Sequence, residues 1–169
     1  MILPIYVEPL PQLRRQTHKV AVFDKELSLL AEDMRETMHG ALGIGLAAPQ
    51  LGKPVKLIVT ELKSSDEEEI IPYMALVNPR IVWHSKERDV FTEACLSIPG
   101  LEADIERPAK VRVKAQDLNG SHFELKADGI LARVLQHEID HLDGKLFTDY
   151  VGKRALKKRP LVDYPQITS

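Results

Sequence analysis

The sequence predicts a single α+β domain in which small antiparallel sheets pack around a central helix. Two segments, one early and one late in the chain, place apolar residues at the three- and four-residue spacing of a helix. Between them lie short runs rich in β-branched residues, separated by proline, glycine and asparagine. The chain has 169 residues, 44% hydrophobic and 28% charged, which is the size and balance of one globular domain.

The first predicted helix follows Asp24, a residue type that favours the N-cap position, and stops near Gly40 or Gly43. Its apolar positions share one face: Leu27, Leu30, Ala31, Met34, Met38 and Ala41. The run VKLIVT, residues 55–60, predicts a strand because it is short, apolar and β-branched. We expect the polar and acidic residues 62–72 to form a solvated loop.

The middle of the chain predicts several more strands. The runs YMALVNP and RIVWH predict two strands separated at Pro79. The run KVRVKAQ alternates apolar and charged residues, and Asn119-Gly120 is a strong hairpin signal. The second predicted helix runs from an N-cap at Asp128 to a stop at Gly144.

The charge balance excludes a general attraction to nucleic acid or membrane. There are 23 Lys plus Arg against 25 Asp plus Glu, a net charge of −2, so we expect no DNA partner and no membrane partner. The opening MILPIYVEPLPQLRR lacks the pattern of a secretory leader, and the single cysteine cannot form an internal disulfide. We therefore expect a cytoplasmic protein.

The second helix carries the pattern His137-Glu138-x-x-His141. Side chains four residues apart share a helix face, so the two imidazoles can reach one metal ion, with Glu138 beside a metal-bound water as a general base. The alternative is two ordinary histidines on a half-buried helix. The spacing favours the metal site.

A catalytic metal site of this kind usually has a third protein ligand. No glutamate follows Glu138, and the extended pattern with a third histidine would need one where Phe147 stands. The remaining candidates are His18, His39, His84, His122 and Cys95. We favour Cys95 because it lies in the turn-rich stretch EACLSIPG, although a lone cysteine is often just a small buried residue.

Three motifs in order, GIGLAAPQ (43–50), EACLS (93–97) and QHEIDH (136–141), resemble those of the peptide deformylases. The resemblance implies an enzyme that removes the N-formyl group from the initiator methionine of newly made polypeptides. It implies that Cys95, His137 and His141 hold Fe²⁺, although Zn²⁺, Ni²⁺ or Co²⁺ can occupy such sites. It also implies a catalytic domain in residues 1–152, followed by a basic, partly flexible tail in residues 153–169. The sequence of this tail predicts a helical turn or two before Pro160.

The resemblance assigns further roles by position. Gln50, through its side-chain amide, and Leu96, through its backbone N–H, would stabilise the oxyanion, while Glu138 moves the proton. The substrate would lie as an added strand along Ile44 and Gly45. The remaining substrate-binding residues by position are Ala94, Ile130, Arg133 and Val134, the last three bordering the methionine pocket.

Two positions depart from the family pattern. Ala94 replaces a glycine, and its methyl could crowd a peptide or rule out a positive φ. Glu102 stands where some relatives carry an arginine near the mouth of the site, and we expect it to disfavour the negative end of a peptide. Both changes predict an altered substrate preference.

Two competing functions and one further partner follow from the sequence. A catalytically silent relative could bind metal or peptide ends without efficient turnover, and a general metallopeptidase would lack its downstream ligand. The basic tail could contact the ribosome weakly through Lys153, Arg154, Lys157, Lys158 and Arg159. A solvated tail is the favoured interpretation.

Overall fold

Two helices anchor the fold of this computed structural model, which describes residues 1–169. Helix α1 spans Lys25–Gly40, and Asp24 caps it by accepting a 3.0 Å hydrogen bond from the Leu27 N–H. Helix α2 spans Gly129–Leu142 and has Asp128 at its N-cap position, without a side-chain capping bond. Both helices lie where the apolar spacing predicts them. Neither is long and apolar enough to cross a membrane.

Ten strands form three sheets. In chain order they are β1 (Ile5–Tyr6), β2 (Gly45–Ala47), β3 (Leu57–Lys63), β4 (Glu69–His84), β5 (Arg88–Cys95), β6 (Ile98–Pro108), β7 (Lys110–Gln116), β8 (His122–Asp128), β9 (Lys157–Lys158) and β10 (Gln166–Ile167). The larger sheets are antiparallel and have the orders β2-β3-β4-β7-β8 and β5-β6-β9, whereas β1 and β10 form a short parallel pair. The parallel pair β1-β10 departs from the expected antiparallel sheets.

The acidic segment 62–72 is largely exposed, as predicted, but it is a loop only at residues 64–68 and strand on both sides. Strand β3 extends to Lys63 and β4 begins at Glu69, which leaves 64–68 as the connection. Leu62 pairs with Ile71 across this hairpin. Charged residues fit a strand here because an antiparallel sheet can leave one face in water.

We predicted that Pro79 divides its segment into two strands. That prediction is wrong, because β4 continues through Pro79. The pairing with β7 shifts register between Val77 and Arg80, and Asn78 adopts a positive φ of 51°. The Asn78 side chain exchanges hydrogen bonds of 2.8 and 2.9 Å with the backbone of Val20. Proline has no backbone N–H to donate to a neighbouring strand, so an irregularity in the pairing can accommodate it.

Helix α2 lies at the centre of the packing. One face contributes Ala132, Leu135 and Ile139 to an apolar cluster with the five-stranded sheet. A separate cluster packs Ile98 and Ile105 of the β5-β6 hairpin with Leu146 and Phe147, which follow the helix, and includes Cys95. The helix therefore packs between the five-stranded sheet and the β5-β6 hairpin. Its remaining face borders the space between these two elements.

The C-terminal segment packs against the rest of the molecule at several points. Lys153–Ala155 forms one 3-10 turn, in line with the predicted turn before Pro160. Strand β9 then pairs with Leu101 and Glu102, and β10 pairs with β1. The boundary after residue 152 and the partial flexibility of the segment stay predictions.

Candidate active site

The two histidines and the cysteine of the motifs meet in the interior. The ligand atoms of Cys95, His137 and His141 all lie within 4.8 Å of one another, and all three residues are buried. Cys95 is the last residue of β5, and its Sγ is 3.4 Å from Nε2 of His141. The two-residue turn of Leu96 and Ser97 separates it from β6. None of the other histidines joins this group.

The donor set fits a divalent metal ion. A thiolate with two imidazoles suits zinc or iron. Nδ1 of His137 is 2.8 Å from Oε1 of Glu93. Metal-binding histidines typically make such a contact with a carboxylate through the nitrogen that does not bind the metal, because the contact fixes the ring and leaves Nε2 for the ion. Burial lowers the pKa of His141 well below its usual value.

Glu138 is a buried carboxylate beside this group. Its Oε1 is 4.0 Å from Nε2 of His137, and its Oε2 is buried with no hydrogen-bond partner in the protein. Burial raises the pKa of Glu138 to about 7. A carboxyl with such a pKa can accept and return a proton near neutral pH.

Glu93 links the site to two buried arginines. It accepts hydrogen bonds of 2.6 and 2.9 Å from Arg107 and one of 2.7 Å from Arg133. Burial opposes its charge, but the hydrogen bonds from His137 and Arg107 outweigh burial and hold the pKa of Glu93 well below its usual range. Glu93 therefore pairs with two cations while it orients His137. This role was not predicted from the sequence, although Glu93 stands two residues before Cys95 and so shares its face of β5.

Gln50 also reaches the site. Its Nε2 donates a 3.1 Å hydrogen bond to Ser97 Oγ and lies 3.6 Å from Cys95 Sγ. Its Oε1 accepts a 2.9 Å bond from the Ala47 N–H, which holds the amide in that orientation. The Gln50 amide therefore points its N–H groups at the metal-ligand side of the site.

A cavity of about 280 Å³ opens beside these residues. The predicted catalytic residues, substrate-binding residues and metal ligands line it, except His141: Ile44, Gly45, Gln50, Ala94, Cys95, Leu96, Ile130, Arg133, Val134, His137 and Glu138. Ala94 has no positive φ, so its methyl imposes no strained backbone there.

The cavity wall also contains residues that were not predicted from the sequence. Arg159, Pro160, Val162 and Tyr164 from the C-terminal segment all line it. Glu102, expected near the mouth, is not among the lining residues. It lies on β6 between Ala94 and Lys157. No local sequence signal placed the C-terminal residues here, because their position depends on pairing with distant strands.

Comparison with known proteins bears on the identity of the site. Residues 2–157 match the family model described as polypeptide deformylase. The peptide deformylase of Bartonella tribocorum is 45% identical over 158 residues, covering 89% of each chain. That of Rhizobium meliloti is 45% identical over 152 residues, covering 90% of this chain and 86% of the relative.

Solved structures show the same fold. The peptide deformylase of Legionella pneumophila superposes with a TM-score of 0.83 at 40% identity and covers 92% of this chain and 89% of its own. That of Ehrlichia chaffeensis gives 0.85 at 37% identity, covering 91% and 90%. The α+β prediction is therefore confirmed, as is the resemblance to a metal-dependent hydrolase. The chain belongs to the peptide deformylase family, the enzymes that remove the N-formyl group from the initiator methionine of newly made polypeptides.

Proposed function

We propose that deformylation by this chain takes place where α2 meets the end of β5, with one divalent ion held by Cys95, His137 and His141. The close approach of these three side chains carries the proposal. Fe²⁺ is the proposed ion by family resemblance, with Zn²⁺, Ni²⁺ or Co²⁺ as substitutes. When bound, the ion would act as a Lewis acid and would lower the pKa of the attacking water.

Glu138 is the proposed general base and acid. It would take a proton from the attacking water and pass it to the departing nitrogen of methionine. Its buried Oε2, which has no protein partner, is free to accept that proton. Gly45 lies directly against Oε1, so the carboxylate borders the backbone along which the substrate is proposed to lie.

Gln50 and Leu96 are the proposed donors to the oxyanion. The Gln50 amide is held near Cys95, and no protein group accepts a hydrogen bond from the Leu96 N–H. Donors placed in advance stabilise the developing charge without having to reorganise. Removing one donor typically lowers turnover by about 10²–10³.

The substrate backbone is proposed to lie between two free strand edges. Strand β2, with Gly45, is the outer strand of its sheet, and β5, with Ala94, is the outer strand of the other. An extended peptide can add to such edges through backbone hydrogen bonds, with Ile44 and the Ala94 carbonyl as further partners. The methionine side chain would then enter the part of the cavity bordered by Ile130, Val134 and the stem of Arg133.

The test is an anaerobic assay of formyl-Met-Ala-Ser hydrolysis, with metal content determined for each sample. Glu138→Gln should lower kcat by about 10²–10⁴ and retain the metal. Glu106→Gln, on an exposed surface pair, is the matched control and should keep full activity. If Glu138→Gln kept its turnover, the proposed role of Glu138 would be wrong. If the natural protein bound peptide without turnover, the result would instead support a relative that binds peptide ends without efficient catalysis.

The compartment and the ribosome contact are also proposals. The enzyme would work in the cytoplasm on nascent chains. Lys153, Arg154 and Lys158 are exposed and form no ion pair, so they are available to an anionic RNA surface. Co-sedimentation with ribosomes that weakens with salt and with glutamine at these three positions would support the contact, and its absence would favour a solvated segment.

A further inference from the structure

The C-terminal segment forms one wall of the substrate cavity and is fastened on both sides of it. The Arg159 N–H donates a 3.1 Å hydrogen bond to the Gly100 carbonyl, directly after the pairing of β9 with β6. The Tyr164 hydroxyl donates a 2.6 Å bond to the Leu96 carbonyl. Between these two bonds, Arg159, Pro160, Val162 and Tyr164 border the cavity, so the segment has a defined place beside a bound peptide.

Arg159 is the one charge on the cavity wall without a partner or a task in the reaction. Glu93 and Arg133 are ion-paired with each other at 2.7 Å. His137 and Glu138 belong to the reacting centre. Arg159 is exposed, and no carboxylate lies within 4.0 Å of it, whereas neighbouring Lys157 is held by Asp104 at 3.1 Å. The mouth of the cavity therefore presents a free guanidinium.

We propose that Arg159 is a specificity-determining residue that favours formylated peptides carrying an acidic side chain a few residues after the methionine. This inference rests on the proposed function. In the proposed arrangement the formyl end lies beside the buried residues Cys95 and Glu138, whereas Arg159 is an exposed residue of the cavity wall. A peptide extended along β2 and β5 advances about 3.3 Å per residue, so the residues after methionine would be the ones that approach Arg159.

The expected preference is modest because the contact is open to water. An exposed ion pair typically changes an equilibrium or rate by about two- to fivefold. Salt screens such a pair, so the preference should shrink as ionic strength rises. Guanidinium also matches a carboxylate in shape, with two parallel N–H donors, so lysine should substitute only in part.

The experiment compares kcat/KM for amidated peptides that differ in one side chain. Formyl-Met-Ala-X-amide and formyl-Met-Ala-Ala-X-amide, with X as Glu, Gln or Lys, place the charge at two distances without a terminal carboxylate. The natural protein should favour Glu over Lys by about two- to fivefold at low salt at one or both distances. Arg159→Gln should abolish the preference, Arg159→Glu should reverse it and Arg159→Lys should keep part of it.

Arg154→Gln is the matched control, because Arg154 is an exposed arginine of the same segment that does not line the cavity. It should leave the Glu-to-Lys ratio unchanged. Equal rates for Glu and Lys in the natural protein at both distances, or a preference that survives in Arg159→Gln, would overturn the inference. Hydrolysis of the Gln peptide and its loss in Glu138→Gln report separately on the proposed function.

Discussion

Gly45 has room for no side chain, because Glu138 lies against it. A Cβ at this position would be 2.7 Å from Glu138 Oε1 and 2.9 Å from its Cγ. Gly45→Ala should therefore displace the carboxylate and lower kcat by about 10²-fold, the usual cost of misplacing a catalytic group. Steady-state assays with formyl-Met-Ala-Ser, alongside metal analysis, would measure the effect.

Gly152→Ala is the control for that substitution, since no atom lies within 4 Å of its Cβ position. It should retain full activity. A Gly45→Ala protein with normal kcat would show that Glu138 tolerates displacement or does not act in the reaction.

At the residue scale, spacing alone placed the two imidazoles of α2 on one face, because a helix repeats every 3.6 residues. Cys95 could only be favoured over four histidines, since the sequence does not show which strand end faces the helix. Glu93 was missed because its partners Arg107 and Arg133 lie 14 and 40 residues away. Such distant ion pairs leave no local pattern.

At the scale of elements, Glu93 joins β5, β6 and α2 through one buried carboxylate. Glu93→Gln would leave Arg107 with only Asp140, at 2.7 Å, and Arg133 with only Asp89, at 3.0 Å, as counter-charges. Breaking a buried pair that leaves a charge uncompensated typically costs about 3–5 kcal/mol, so we expect a smaller loss, of about 2–3 kcal/mol, in the free energy of unfolding. Urea denaturation of the metal-loaded protein would measure it.

Glu106→Gln tests whether that loss depends on burial. Glu106 pairs with Arg88 on the surface of the same hairpin, with 62% of its side chain exposed, so its change should cost less than about 1 kcal/mol. Similar losses of unfolding free energy in the two variants would contradict the role assigned to the buried ion pairs of Glu93.

The C-terminal segment supports the turn that follows β5. Tyr164→Phe removes only the hydroxyl that donates to the Leu96 carbonyl. Since the Leu96 N–H is a proposed oxyanion donor, a looser turn should lower kcat several-fold and leave KM nearly unchanged. Tyr6→Phe, which lies on β1 and does not line the cavity, is the control. A change confined to KM would point to peptide binding instead.

Elements with strong local signals were predicted and those set by distant pairing were not. Asp24, Asn119 and Gly120 marked a helix start and a hairpin that the structure contains. The two-residue strands β9 and β10 are too short to show alternation, and their partners lie about 55 and 160 residues earlier in the chain. Local sequence patterns therefore could not predict that the C-terminal segment lines the cavity.

At the scale of the whole molecule, a bidentate ion pair joins the first helix to the large sheet. Arg35 on α1 donates two hydrogen bonds of 2.8 Å to Glu61 on β3, and Nε2 of His39 is 2.8 Å from the same carboxylate. The hydrogen bonds from Arg35 lower the pKa of Glu61 below its ordinary value. The folded state thus favours the ionised carboxylate more than the unfolded chain does.

This difference predicts how stability depends on pH. A carboxylate whose pKa is lowered on folding contributes stability above its unfolded pKa, near 4.5, and loses it as the pH falls through its folded value. Glu61→Gln should therefore cost about 1 kcal/mol at neutral pH, since Arg35 is partly open to water, and progressively less below about pH 4.5. Urea unfolding of both proteins between about pH 3 and pH 7 would measure the difference.

Other carboxylates lose their partners over the same pH range, so the comparison must isolate Glu61. The pKa of Asp149 is also lowered, by its hydrogen bond to Arg14 against the effect of burial, and its titration affects both proteins equally. It cancels in the difference between natural and variant protein, as long as the two sites are independent. Glu67→Gln, at a surface position 82% exposed, should give no difference at any pH. A cost of Glu61→Gln that stays constant down to about pH 3 would mean that packing, and not charge, holds α1 to β3 at this point.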